Sequence, residues 1–335
     1  MYTLGLDIGG ANLKASDGET TSASQSFPLW RQPEQLSHAL REVVARFDRP
    51  ERVALTMTGE LADCFRTKTE GVNFILDAAL SAFPETDRMV WQSGGEFVDI
   101  ETARELIPLV AAANWHAQAT WAGRMVPIGK ALLVDMGSTT TDLIPIDNGF
   151  PMPQGRTDPE RLATGELVYL GVRRTPLIGL LHEVRLSAGS VHPLANELFA
   201  TTHDLFLVVG DLDDCPENCD TANGRPATRE FAFDRLARQL CGDVTEFPLS
   251  ALEIFARKCL QAMTTRIHFA LRKLKVEPSE TALILSGEGA FFARRILAQF
   301  DPAWRQSIDL TNVLGRDHSQ AACAFALARL AREVA

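Results

Sequence analysis

The stretch LLVDMGSTTTDL (residues 132–143) carries an apolar run into Asp135, turns at Gly137, sets Ser138, Thr139, Thr140 and Thr141 in a row, and resumes at Asp142. An apolar run interrupted by a Gly and hydroxyl turn reads as a β-hairpin. The same grammar stands near the N-terminus in LGLDIGGANLKA (residues 4–15), where the strand ends on Asp7, Gly9 and Gly10 make the turn, and Asn12 and Lys14 lead out. Each hairpin is followed by a further short strand, predicted around Thr20–Phe27 in the first case and after Asn148-Gly149-Phe150 in the second. A chain that begins one three-stranded unit twice reads as a tandem duplication of a fold.

Outward from the hairpins, the pattern predicts a helix over about 33–47, a strand over 52–57 ending in TGE, a helical region over 62–83, a strand over 88–92 and one long helix over 101–124. In the second half, Leu252, Phe255, Cys259, Met263, Ile267, Leu271 and Leu274 recur at helical spacing, and TALILSGEGAFFARRIL (281–297) delivers a Gly-Glu-Gly turn between strand and helix. The predicted fold is α/β, with mixed sheets flanked by helices. The first domain spans residues 1–128, with the terminal helix 318–335 as a candidate addition. The second spans 129–317 and carries a polar inserted loop at about 211–230.

With 46% hydrophobic and 23% charged residues over 335 positions, the chain can bury a sizeable core. No apolar run suffices to cross a bilayer and no secretory signal pattern opens the chain, so a cytoplasmic location is expected. A net charge of -10 argues against a general nucleic-acid or anionic-membrane binder. The six scattered cysteines suit reduced thiols, and Cys215 with Cys219 lack a second ligand pair at zinc spacing. Periodicity does not tell an interface from a core face, so a homodimer stays open.

The chemistry of the two hairpins points to phosphate. Gly9, Gly10 and Gly137 let backbone N–H groups approach an anion, while Asn12, Lys14, Ser138, Thr139 and Thr140 add donors and charge. Asp7, Asp135 and Asp142 are candidate ligands for Mg²⁺ or its waters. Gly287 and Gly289, at a strand-to-helix turn, form a third candidate anion contact. A dinucleotide-binding reading fails, since no G-x-G-x-x-G follows a strand.

The order of two hairpins and a late glycine turn resembles the actin, sugar-kinase and Hsp70 ATPase superfamily, which implies a tandem ribonuclease-H-like fold over nearly the whole chain. LGLDIGGANLKA and LLVDMGSTTTDLIPI resemble its hydantoinase A and oxoprolinase branch. MTGELADCFRTKTEGV, AAANWHAQA and TANGRPATR are similar to a group of proteins associated with tetrahydromethanopterin-linked one-carbon transfer. The archaeal members of that group are methanofuran-biosynthesis enzymes that join an aminomethylfuran diphosphate to the phenol of a γ-glutamyltyramine and release pyrophosphate. The resemblance thus implies a transferase whose hairpins hold a substrate diphosphate, with a phenolic acceptor as second substrate.

A phenol gains nucleophilicity when a base takes its proton. Glu60, in MTGE, and His116, in ANWHA, are the candidates, although an acid can also open a helix and a histidine can simply pack. Arg66 and Lys68 can clamp a diphosphate or face solvent. Asp220 and Arg225 can reach a glutamyl carboxylate or shape a turn. Trp91, Trp115 and Trp121 can stack on an aryl group or fill the core. Rival readings are an ATP-using small-molecule kinase, a hydantoinase- or oxoprolinase-type hydrolase, and a nucleotide-sensing scaffold without turnover.

Overall fold

A computed structural model describes residues 1–187, 190–300 and 303–334. The first half opens with β1 (Thr3–Gly9), β2 (Asn12–Ser16) and β3 (Ser22–Ser26), followed by α1 (Leu36–Val44), β4 (Arg52–Thr58), α2 (Lys68–Ala82), β5 (Asp87–Gln92) and β6 (Glu96–Val98). These strands form a six-stranded sheet in the order β3-β2-β1-β4-β5-β6, antiparallel through β3-β2-β1 and parallel through β1-β4-β5. Three short helices, α3 (Ile100–Glu105), α4 (Ile107–Val110) and α5 (Asn114–Gly123), lead to the second half.

There β7 (Lys130–Met136) and β8 (Thr141–Asp147) repeat the hairpin, and the two-residue β9 (Phe150–Pro151) and β10 (Leu167–Val168) both pair with β8. The crossover carries α6 (Asp158–Thr164), the β11 (Glu183–Ser187) and β12 (Ser190–Pro193) hairpin, α7 (Thr202–Val209), α8 (Arg229–Gln239) and the long α9 (Leu249–Leu274). Then β13 (Thr281–Ser286), α10 (Ala290–Leu297) and β14 (Gln306–Asp309) place two strands parallel to β7, so the order β10-β8-β7-β13-β14 repeats β3-β2-β1-β4-β5. The chain ends in α11 (Leu310–Leu314), α12 (Arg316–Gln320) and α13 (Ala322–Ala331). The central strands are buried on both faces, as their near-continuous apolar sequences require.

The last helix returns to the first sheet. α13 lies on β1 so closely that a Cβ at Gly5 would run into the carbonyl of Ala324, and Ala324, Leu327 and Ala328 are fully buried there. It also packs against α5, which belongs to the segment joining the two halves.

Two helical expectations change. The helix predicted over 101–124 is broken, because Ala111 is extended and bridges Met57 at the end of β4, and Ala112 takes a left-handed φ of 50°. Pro108 opens α4, where a missing N–H costs nothing. The helical region predicted over 62–83 begins only at Lys68, capped by the Thr67 side chain. Among the described residues no helix is long and apolar enough to cross a membrane.

Candidate functional site

The sheet register sets the centre of the site. In the first hairpin Asp7 stands opposite Lys14; in the second Asp135 stands opposite Asp142. Opposed residues of an antiparallel pair are side-chain neighbours. Burial raises the Asp7 carboxyl, and the Lys14 charge opposes that rise. Burial also pushes Asp135 up to about 6, helped by the negative charge of Asp142 and opposed by hydrogen bonds from Ser286 and Gln118 and by Lys14. Lys14 therefore sits in reach of both aspartates. Beneath them the buried Cys323, on α13, feels Asp7, Lys14, Asp135 and Asp142.

The turns themselves are open to an anion. Gly137 N–H closes its turn on the carbonyl of Thr140 at 2.8 Å, whereas the N–H groups of Gly10, Ala11, Ser138 and Thr139 have no acceptor among the described residues. The third predicted contact packs onto the second hairpin, but the Gly289 N–H is already bonded within the protein. Gly287, at φ 84°, lets its turn lie against β7, where a Cβ would stand 2.7 Å from Asp135 Oδ1, and Gly289 N–H donates to Met136 O at 2.8 Å.

Asp142 already has a cation. Arg161 of α6, 1% exposed, reaches its Oδ1 at 2.5 Å and stacks its guanidinium over Trp115 with 4.1 Å to the ring centroid. The same guanidinium meets Asp158 Oδ1 at 3.4 Å. Neither arginine nor aspartate of this α6 pair was visible as a site residue in the sequence, because what ties the pair to the site is the contact of Arg161 with Asp142 on another element.

Glu60 lies between the two halves, where it feels Lys68 of the first and Asp158 of the second. It does not open a helix, since α2 starts at Lys68. Its backbone is pinned: a Cβ at Gly71 of α2 would run into the Glu60 carbonyl, and Gly59 packs against Gly10. The side chain is 2% exposed, Oε2 has no hydrogen-bond partner among the described residues, and burial pushes the carboxyl up to about 7. Asp7 Oδ1 is likewise buried and without a partner. Unpaired buried acceptors of this kind call for a ligand, a proton or an ion.

His116 is held differently. It stacks near Trp91 and Trp115 at 5.8 and 5.2 Å between ring centroids, and its Nδ1 lies 3.3 Å from the Thr120 hydroxyl. Burial together with the charges of Arg156 and Arg161 pushes it down to about 4, so its ring is neutral at neutral pH. Trp121 packs edge-on against Phe325 at 5.2 Å in the core. Arg66 is exposed and Arg225 pairs with Asp234 at 3.9 Å, while Asp220 lies in the inserted loop and its charge reaches His203. Cys215 and Cys219 are exposed free thiols. Among the described residues no group of three or more His, Cys, Asp and Glu side chains is set to hold a metal.

Two facing ribonuclease-H-like units with apposed hairpin turns are the architecture of the actin, sugar-kinase and Hsp70 ATPase fold. Consistent with it, the structure of acetone carboxylase in its nucleotide-free state superposes over 97% of this chain and 70% of its own, with a TM-score of 0.58 and 12% identity. Residues 51–334 match the family model described as hydantoinase/oxoprolinase, and the chain belongs to that family. It is 32% identical over 333 residues, 98% of this chain and 97% of the relative, to the (4-{4-[2-(gamma-L-glutamylamino)ethyl]phenoxymethyl}furan-2-yl)methanamine synthase of Methanocaldococcus jannaschii. A synthase of the same name from Methanococcus vannielii is 29% identical over 60% of this chain and 90% of its own.

Proposed function

We propose that this protein is a transferase that joins an aminomethylfuran diphosphate to the phenol of a tyramine- or tyrosine-derived, glutamylated acceptor, forming an aryl ether and releasing pyrophosphate. The names of its relatives support the product class, a phenoxymethyl furan. The observation that carries the reaction is Glu60, a buried carboxylate with a free oxygen and an affinity for protons centred at about 7, whose backbone neighbour Gly59 packs against Gly10 of the first turn.

In this reading the phenol oxygen attacks the furfuryl carbon as its proton passes to Glu60. The carbon–oxygen bond to the diphosphate breaks, and its electron pair leaves with pyrophosphate. The unpaired N–H groups of the two turns and the Lys14 ammonium stabilise that growing charge. Mg²⁺ belongs to the same proposal. The orphaned Asp7 carboxylate and its counterpart Asp135 fit a cation that takes one or two carboxylates and completes its shell with phosphate and water, and it would supply charge neutralisation at the departing group. Asp142 is then balanced by Arg161. Of the two candidate bases, His116 at about 4 is too weakly basic to draw a proton from a phenol, whereas Glu60 matches the working pH.

The test is an assay for pyrophosphate and ether with Mg²⁺, the furan diphosphate and a tyramine- or tyrosine-derived phenol. Pyrophosphate should appear only when the phenol is present. Glu60→Gln should lower kcat by about 10²- to 10⁴-fold, and a fluorinated phenol of lower pKa should recover part of the loss. Phosphorylation of a small molecule by ATP with no ether formed would overturn the reading.

A further inference from the structure

Each hairpin turn is bound by a strap of chain that the phosphate motifs do not include. On the first, Phe27 N–H donates to Ala11 O at 2.9 Å and Leu29 N–H to Gly10 O at 3.0 Å, so residues 27–31 run along the turn with Leu29 fully buried as anchor. On the second, Val172 N–H donates to Gly137 O, and Arg173 and Arg174 N–H both donate to Ser138 O, all at 3.0 Å. Gly171 makes this contact feasible, since a Cβ there would run into the backbone of Ser138 and Thr139.

The straps meet across the cleft. Trp30, half-buried on the first, has Arg31 at 5.9 Å and Arg174 of the second at 5.8 Å from its ring centroid. Arg173 has other work: its Nε donates to Glu288 Oε2 at 2.7 Å and its guanidinium to the His203 ring at 3.0 Å, which ties the strap to the glycine turn. Arg31 and Arg174 are exposed and have no carboxylate partner among the described residues. Two guanidinium groups on one indole repel each other, in a protein whose net charge is -10. Attached to the two phosphate turns, they form an arrangement completed by an anion lying between them.

We propose that Arg31 and Arg174, oriented by Trp30, form a clasp for the terminal phosphate of a bound diphosphate, closing the cleft over its outer end while the turns hold the rest. The choice of a furan diphosphate as the source rests on the proposed function; the clasp itself does not. It would make the site select diphosphates over monophosphates, because the turns would hold one phosphate and the two arginines the other.

Isothermal titration of the full chain with inorganic pyrophosphate, orthophosphate and ATP, each with Mg²⁺, tests this, using Arg31→Ala, Arg174→Ala and the double variant. Both side chains are exposed, and an unchanged Tm confirms the fold of each variant. The wild type should prefer pyrophosphate to orthophosphate. Each single variant should weaken pyrophosphate about tenfold, with orthophosphate held within about twofold. Arg174→Lys, which keeps charge but not the planar fork, should fall between wild type and Arg174→Ala. Pyrophosphate affinity within twofold of wild type in the double variant, or no pyrophosphate binding by the wild type, overturns the clasp. If ether forms with an unchanged KM for the furan diphosphate in the double variant, the clasp falls and the transferase reading stands. If the variants lose pyrophosphate and the wild type forms no ether, the clasp stands and that reading falls. Preference for ATP, lost in the variants, keeps the clasp and reassigns its source to a nucleotide.

Discussion

The two hairpins are one design with different charges opposite their aspartates. Asp7 faces a lysine on its own partner strand, so its neutralising charge is local. Asp135 faces a second aspartate, and the compensating cation, Arg161, comes from a helix in the crossover. The first hairpin is therefore complete as a motif, while the second depends on tertiary structure. Burial raises the proton affinity of both aspartates; at Lys14 the first is opposed by a cation, while at Asp142 the second is raised further by a like charge, and it is this difference that the proposed cation site would have to reconcile.

The largest effect expected from breaking this comparison is on turnover. Asp7→Asn and Asp135→Asn should each lower kcat by about 10³-fold while Tm stays level or rises, since each removes a buried charge. Turnover near wild type in either variant removes the proposed cation site. Next, Arg161→Ala strands Asp142 as a buried charge and should cost about 3–4 kcal/mol of stability in denaturant unfolding. Lys14→Ala, on the exposed side of the first pair, should cost far less stability; equal losses would mean the hairpins are not asymmetric.

Glu60 offers a sign test. Its folded proton affinity lies above its unfolded value, so its contribution is fully present below about pH 4.5 and is lost as pH rises through about 7. Glu60→Gln should accordingly raise stability at pH 8 by up to about 3 kcal/mol, the free energy of the full shift, and leave it nearly unchanged at pH 4. A variant less stable at pH 8 would show that the carboxylate is paired in solution. A finer probe of the second hairpin is Asp142→Asn. Removing that negative charge should move to lower pH the point below about 6 where the acidic limb of the pH–rate profile steepens as Asp135 takes up a proton in addition to Glu60. The smallest effect belongs to His116→Gln, which should change kcat by less than about tenfold and leave the limb near pH 7 in place, because that limb belongs to Glu60.

Both hairpins and the Gly-Glu-Gly turn were legible because each is built by neighbours in sequence: a strand, a glycine that turns it, and the residues the turn exposes. The helical stretch before Trp115 was misread because the extended Ala111 is dictated by Met57, on another strand, and not by local propensity. Glu60 was found as a residue, yet its character was not, since its raised proton affinity comes from burial under α2 and beside Asp158. Asp158, Arg161, Arg173 and Arg174 were passed over. GVRRT (171–175) shows a glycine and two arginines, but nothing local says that a distant hairpin turn accepts their N–H groups.

By itself, then, the sequence determined the duplicated strand units, the glycines of the two hairpin turns and the aspartate near the end of each first strand, because hydrogen-bonded hairpins are written within about a dozen residues. Only the tertiary structure decided which charge each aspartate meets, which carboxylate is dry enough to hold a proton, and where the straps cross the cleft. Those properties depend on desolvation and on contacts between residues far apart in the chain, and neither quantity exists until the two halves have packed.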